Sequence, residues 1–166
     1  WCAPLHNSPI DAETQRRIKS SYPEIFAKCR ETYGGFIHDA DRRNALEVSP
    51  EVREAFFEKR YSEPGFALWM GNFRDLLIDW DANATITDFM RRKIRERVKD
   101  PVLADKLTPK DHGFGTRRVP MESGYYEVFN QPNVRLVDLR ETPIERVTPA
   151  GIRTTGAEYP FDLIIY

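Results

Sequence analysis

Two adjacent arginines, Arg117 and Arg118, are the residues of this sequence best suited to chemistry. A guanidinium stays charged at physiological pH, and its planar fork matches phosphate and other oxyanions. The pair lies between the flexible Gly113-Phe114-Gly115 and the run Ser123-Gly124-Tyr125-Tyr126. Glycines permit close backbone approach, and the two tyrosines offer a rigid aromatic wall. Two readings stand at this point: an anion-binding pair, or two surface arginines, one of them joined to a carboxylate such as Glu122. Residue type alone does not decide between them.

Other chemistry finds less support. Cys2 and Cys29 have neither an activating partner nor metal-ligand spacing, and no serine sits in a nucleophile elbow. Gly113-Phe114-Gly115 falls short of a phosphate-binding glycine fingerprint, and no strand precedes it. His38-Asp39-Ala40-Asp41 offers ligand types without the rest of a coordination shell, so a solvated loop and no metal are expected. Asn83-Ala84-Thr85 matches the glycosylation sequon but falls in a helical stretch, a chance match.

The elements that must position the pair are mostly helical before it and short strands after it. Trp1 to Ile10 is irregular. Asp11 is a plausible N-cap for a helix to about Thr32, split or kinked at Pro23, with Ile18, Tyr22, Ile25, Phe26 and Cys29 on one face. Ser49-Pro50-Glu51 starts a second helix that Pro64-Gly65 ends. Phe66, Trp69, Met70, Phe73, Leu77 and Trp80 form a helical aromatic stripe expected in the core. Asp81 to Lys99 is an amphipathic helix with Ile86, Phe89, Met90, Ile94 and Val98 inward and a basic, solvated outer face from Arg91 to Lys99. Thr108-Pro109-Lys110-Asp111 reads as a capping box opening a last turn. Ser123 to Asn130 reads as a short helix. Strands are expected at Val134 to Asp138, Pro143 to Val147, Gly151 to Thr154 and Tyr159 to Tyr166, the last buried on both faces.

A chain of 166 residues with 40% hydrophobic and 31% charged residues can bury a core and reads as a soluble globular protein. Its net charge of −1 gives no electrostatic reason to expect nucleic acid or an anionic membrane as partner. Two cysteines suggest a reduced, cytoplasmic setting, and no run of residues has the length of a membrane span or the layout of a signal peptide. The start at Trp1 and the apolar run ending at Tyr166 lead us to expect a segment of a longer protein.

In order along the chain, Arg117-Arg118, Ser123-Gly124-Tyr125-Tyr126-Glu127-Val128-Phe129-Asn130 and Asn133-Val134-Arg135-Leu136-Val137-Asp138 closely resemble class B flavoprotein monooxygenases. Within that class the sequence is similar to the Baeyer–Villiger type, the cyclohexanone and phenylacetone monooxygenase group. Gly65-Phe66-Ala67-Leu68-Trp69, Lys93 to Pro101 and Thr142-Pro143-Ile144-Glu145 extend the likeness over nearly the whole chain. The resemblance implies an α+β fragment of an α/β flavoprotein with two dinucleotide-binding domains. Residues 1–112 would be the helical insertion of the NADPH-binding domain. Residues 113–166 would be the end of that domain and a β-meander returning toward the FAD domain. Neither GxGxxG fingerprint nor the family's His-containing signature is in the chain.

The resemblance implies an enzyme that uses FAD and NADPH to insert one oxygen atom from O2 into ketones, giving esters or lactones, with the FAD domain of the same chain as partner. It assigns Arg118 the catalytic role of stabilising the negatively charged flavin peroxide, a fixed charge where the anion forms. It assigns Arg117 to the 2′-phosphate of NADPH, at a position that is usually Lys; arginine keeps the charge and adds a fork. Gly113-Phe114-Gly115-Thr116 departs from the family's usual Tyr-Pro and Ala-Lys. A related flavin monooxygenase acting on sulfur or nitrogen is the nearest alternative, and a non-catalytic helical interaction module the one from another class. On either enzymatic reading this segment alone is not expected to be active.

Overall fold

The computed structural model describes residues 1–165. The first segment is not wholly irregular: Ala3–Pro4 (β1) pairs in parallel with Met121–Glu122 (β2), Ala3 opposite Met121 and Pro4 opposite Glu122. Such a pairing joins residues nearly 120 positions apart through two-residue strands, too short to leave a period in the sequence.

Helix α1 (Ala12–Ser20) starts where Asp11 accepts a hydrogen bond from the Thr14 amide at 2.7 Å. Ser21 closes it, and α2 (Tyr22–Glu31) begins at once with Pro23 in its first turn, where a missing N–H costs nothing. The expected split is present. The shared apolar face does not reach the core: α1 and α2 bury no residue, and Ile18, Tyr22 and Phe26 are exposed among the described residues.

Beyond a 3-10 turn at Ala45–Glu47, α3 (Pro50–Ser62) is capped by Ser49, whose hydroxyl accepts from the Val52 amide at 3.4 Å. The aromatic stripe from Phe66 to Trp80 does not form one helix. Helix α4 spans only Ala67–Met70, because the Asn72 side chain bonds back to the Leu68 carbonyl at 2.9 Å and takes the Phe73 amide at 2.9 Å. Phe73 is buried as expected, but Leu77 and Trp80 are 56% and 75% exposed.

Helix α5 (Trp80–Arg97), capped by Asp79 on the Ala82 amide, is the spine. Ile86, Phe89, Met90, Ile94 and the adjoining Val98 are all buried. Its first half packs with Phe57, Leu68, Phe73, Leu76, Phe114 and Val119. Its last turn packs with Ala104 and Tyr126 under Trp1. Helix α6 (Pro101–Leu107) follows, with Asp100 accepting from the Val102 and Leu103 amides. It corrects the capping-box reading of Thr108, whose hydroxyl instead closes α6 by donating to the Ala104 carbonyl at 2.7 Å.

Helix α7 (Tyr125–Val128) forms the core of the expected short helix. Val134 to Asp138 is not a strand; its backbone has no ladder partner among the described residues. Strands β3 (Ile144–Thr148), β4 (Gly151–Thr154) and β5 (Glu158–Pro160) make an antiparallel meander in that order. β5 stops at Pro160, which has no N–H to continue a ladder. Phe161, Leu163 and Ile165, expected in a doubly buried strand, are exposed, and Tyr166 lies outside the described residues.

The basic face of α5 is also not uniformly solvated. Lys93 lies between Glu58 and Glu96, and Arg97 is drawn inward. Arg97 Nη1 donates to Glu122 at 2.6 Å, its Nε and Nη2 to Glu127 at 2.5 and 2.7 Å, and its guanidinium lies 5.0 Å from the Tyr126 ring centre. Burial alone would favour the neutral form of this side chain. The bonds to Glu127 and Glu122 outweigh it and hold the charge more firmly than in water. This one cation ties α5 to both β2 and α7. Arg97→Leu leaves the Glu122 carboxylate, 7% exposed, without its partner. We expect a loss of about 3–5 kcal/mol, measured by urea unfolding of variant and parent chain.

Asp41 gives the fold an acid limit. Arg43 binds it with Nε and Nη2 at 2.9 and 2.8 Å, and this hydrogen bonding pulls the carboxyl down to about 2. A carboxyl lowered on folding stabilises fully above its unfolded value, about 3.9, and loses that contribution as the pH falls through the folded one. Arg43 is half exposed, so screening trims the effect. The stability difference between parent and Asp41→Asn should be about 1–2 kcal/mol at pH 6 and shrink as the pH falls from about 4 through about 2 in thermal melts.

Candidate functional site

The arginine pair sits on a short outward segment held at both ends by buried residues. Phe114 precedes it and Val119 follows it, both in the main core, while Thr116, Arg117 and Arg118 are exposed. Beyond Val119 the Pro120 carbonyl accepts the Ala3 amide at 3.0 Å, so β1 anchors the exit of the segment.

The entry is fixed by side chains of α5. Asn83 Nδ2 donates to the Leu76 and Phe114 carbonyls at 2.7 and 2.9 Å. The Thr87 hydroxyl donates to Asn83 Oδ1 at 2.9 Å and accepts the Phe114 amide at 2.9 Å. Gly113 passes so close that a Cβ there would stand 1.9 Å from Asn83 Oδ1. Gly115 has φ +77°, a left-handed conformation that favours glycine, and its carbonyl accepts Trp69 Nε1 at 3.2 Å. The Gly-Phe-Gly stretch is therefore a clamped turn and not a flexible one.

Arg117 is 66% exposed, with Nη1 3.4 Å from Asp111 Oδ2. Asp111 in turn bonds the His112 ring at 2.8 Å, which with the nearby Arg117 holds its carboxyl below the usual range. Arg117 also lines a cleft of about 530 Å³ floored by Lys106, Thr108, Lys110, Asp138 and Arg140. Arg118 has no ion-pair partner among the described residues. Glu122, the expected carboxylate partner, is taken by Arg97 instead and receives the Tyr125 amide at 2.7 Å. Nor do the tyrosines form a joint wall: Tyr126 is buried beneath Arg97 with its hydroxyl on the Cys2 amide, and only Tyr125 faces out.

Asn83, Thr87 and Trp69 are the supporting residues that residue-by-residue reading missed. The available signal was a polar pair four residues apart on the inward side of an otherwise apolar helix. In the 38–41 loop, Asp39 is engaged by Lys28 and Asp41 by Arg43. Among the described residues no three His, Cys, Asp or Glu side chains are grouped to hold a metal ion. No helix is long and apolar enough to cross a membrane among those residues.

No protein-family model matches the chain. The 2-oxo-Delta(3)-4,5,5-trimethylcyclopentenylacetyl-CoA monooxygenase of Pseudomonas putida is 49% identical over 166 residues, 100% of this chain and 30% of that protein. Cyclopentanone 1,2-monooxygenase of a Comamonas species is 41% identical over 165 residues, 98% of this chain and 30% of its own length. The crystal structure of OTEMO in complex with FAD and NADP matches the fold with a TM-score of 0.96 at 49% identity, covering 98% of this chain and 30% of that one. The chain thus spans about three tenths of the length of these relatives. From end to end, in sequence and in fold, the chain is homologous to a stretch of Baeyer–Villiger monooxygenases.

Proposed function

We propose that this chain is the middle portion of an FAD- and NADPH-dependent monooxygenase that converts a cyclic ketone and O2 to a lactone. The single observation that carries the reading is the 49% identity over the whole chain to a monooxygenase whose name specifies an oxo-cyclopentenyl substrate. The second relative, named for cyclopentanone, supports a five-membered ring ketone as the substrate class. Residues 1–112 serve as the helical insertion of the NADPH-binding domain, and residues 113–166 as its end and the return toward the FAD domain. The cytoplasm is the compartment we assign.

The arginine pair suits an anionic group such as the phosphate of a nicotinamide nucleotide. Two fixed cations stand side by side on a clamped segment, and only one has a carboxylate near it. Arg117, at the edge of a cleft where Lys106, Lys110 and Arg140 alternate with Asp105, Asp138 and Glu141, is the residue we assign to the 2′-phosphate of NADPH. Its contact with Asp111, long at 3.4 Å and exposed, is one a phosphate can displace. We assign Arg118 the catalytic role, as an uncompensated charge suited to the negative charge that develops during oxygen transfer. When bound, NADPH supplies the hydride and FAD the means of activating O2. This chain's part is to orient the nicotinamide nucleotide and supply the fixed charge.

In the full-length enzyme, cyclopentanone should yield the lactone with NADPH and O2, read by gas chromatography. Sulfoxide from a thioether with no lactone from any ketone would overturn the ketone assignment. Arg118→Ala should lower lactone formation by at least about 10²-fold, while anaerobic flavin reduction by NADPH, followed by absorbance, stays within about threefold.

A further inference from the structure

We infer that Asn83 and Thr87 are positioning residues for Arg117, acting through the backbone of Phe114 to hold the guanidinium where it selects NADP over NAD. The inference rests on the cofactor role proposed above for Arg117. It starts from a cost: two polar side chains lie on the buried stripe of α5, 3% and 5% exposed, where an unsatisfied group destabilises strongly. Every polar atom of the pair has a partner. Asn83 gives its amide hydrogens to Leu76 and Phe114, its Oδ1 receives the Thr87 hydroxyl, and Thr87 receives the Phe114 amide.

The circuit grips both backbone groups of one residue, Phe114, three positions before Arg117. An apolar contact would hold the Phe114 ring in the core but leave the peptide planes free to turn about it. Hydrogen bonds to both N–H and C=O fix their direction as well. Because Asn83 and Thr87 are one helical turn apart, they move as a unit with the spine. Gly113 leaves the space for Asn83 Oδ1, and Trp69 holds the Gly115 carbonyl from the opposite side. Three exposed residues then carry the charge outward. A tilt at Phe114 would displace the guanidinium by an amount on the order of 1 Å, enough to impair a directed contact.

The test is the ratio of NADP⁺ to NAD⁺ affinity in the full-length flavoenzyme, titrated by perturbation of the flavin spectrum. General damage weakens both nucleotides together, whereas misplacing Arg117 weakens only the one bearing the 2′-phosphate. Thr87→Val, close in shape but without the hydroxyl, should lower the ratio about tenfold. Thr87→Ser, which keeps the hydroxyl, should hold it within about twofold of the parent. If Thr87→Val does not fold with flavin bound, Gly113→Ala applies the same test from the loop side, its Cβ forcing Asn83 aside. An unchanged ratio in the folded variant, with Arg117→Ala lowering it, overturns the positioning role alone. An unchanged ratio in Arg117→Ala itself overturns the cofactor role and this inference with it.

Discussion

The structure depends on the burial of one stripe of α5. Between Ala82 and Val98 this helix and its C-cap put six buried apolar side chains and two polar ones into the core, and both core clusters touch it. An 18-residue helix is about 27 Å long, which is why one element can organise two cores. The apolar part of the stripe gathers α3, α4 and the Phe73–Leu76 segment without directional preference. Direction enters where the stripe is broken by groups that demand specific partners. Asn83 and Thr87 near its start call in the 113–115 backbone; Arg97 at its end calls in Glu122 and Glu127. The arginine pair lies on the length of chain between those two attachments.

The near-zero net charge now has a structural meaning. The basic residues of α5 are not a free cationic face: Arg92 meets Glu54, Lys93 meets Glu58, and Arg97 meets two acids. Helix α3 supplies two of those acids one turn apart, so the two helices are matched along their shared edge. Exposed pairs of this kind add little stability each. Their effect is to neutralise the field around α5, which leaves the guanidinium groups of residues 117 and 118 as a local feature and not part of a broad positive surface.

What could be read in the sequence was local chemistry. Asp11, Ser49 and the inward side of α5 carry their signals within a few residues, and each is in the structure where it was expected. The misses are non-local or concern burial. The β1 to β2 pairing joins two-residue strands across almost the whole chain, and a period cannot be detected in two residues. Asp100-Pro101 carries the same start signal as Ser49-Pro50, so the start of α6 is legible locally. Leu77 and Trp80 follow helical spacing yet face solvent, because periodicity reports which side is apolar and not what covers it. The pair itself was visible as a motif; its clamp was not, since Asn83 first drew notice only as part of a sequon it is too buried to serve.

The clamp also accounts for the difference between two residues that look equivalent on paper. Fixing the backbone at Phe114, next to a turn and a bend, gives the two neighbouring side chains different surroundings. Arg117 is turned toward Asp111 and the cleft it lines, while Arg118 has no ion-pair partner among the described residues. A flexible loop would average those environments, and each cation would spend time against the same carboxylate. Holding the peptide planes by hydrogen bonds keeps Asp111 for Arg117 and keeps the Arg118 charge uncompensated. On the catalytic role proposed for Arg118, an unneutralised cation is what an electrostatic catalyst needs before its anion arrives, because no partner has to be displaced when the charge develops.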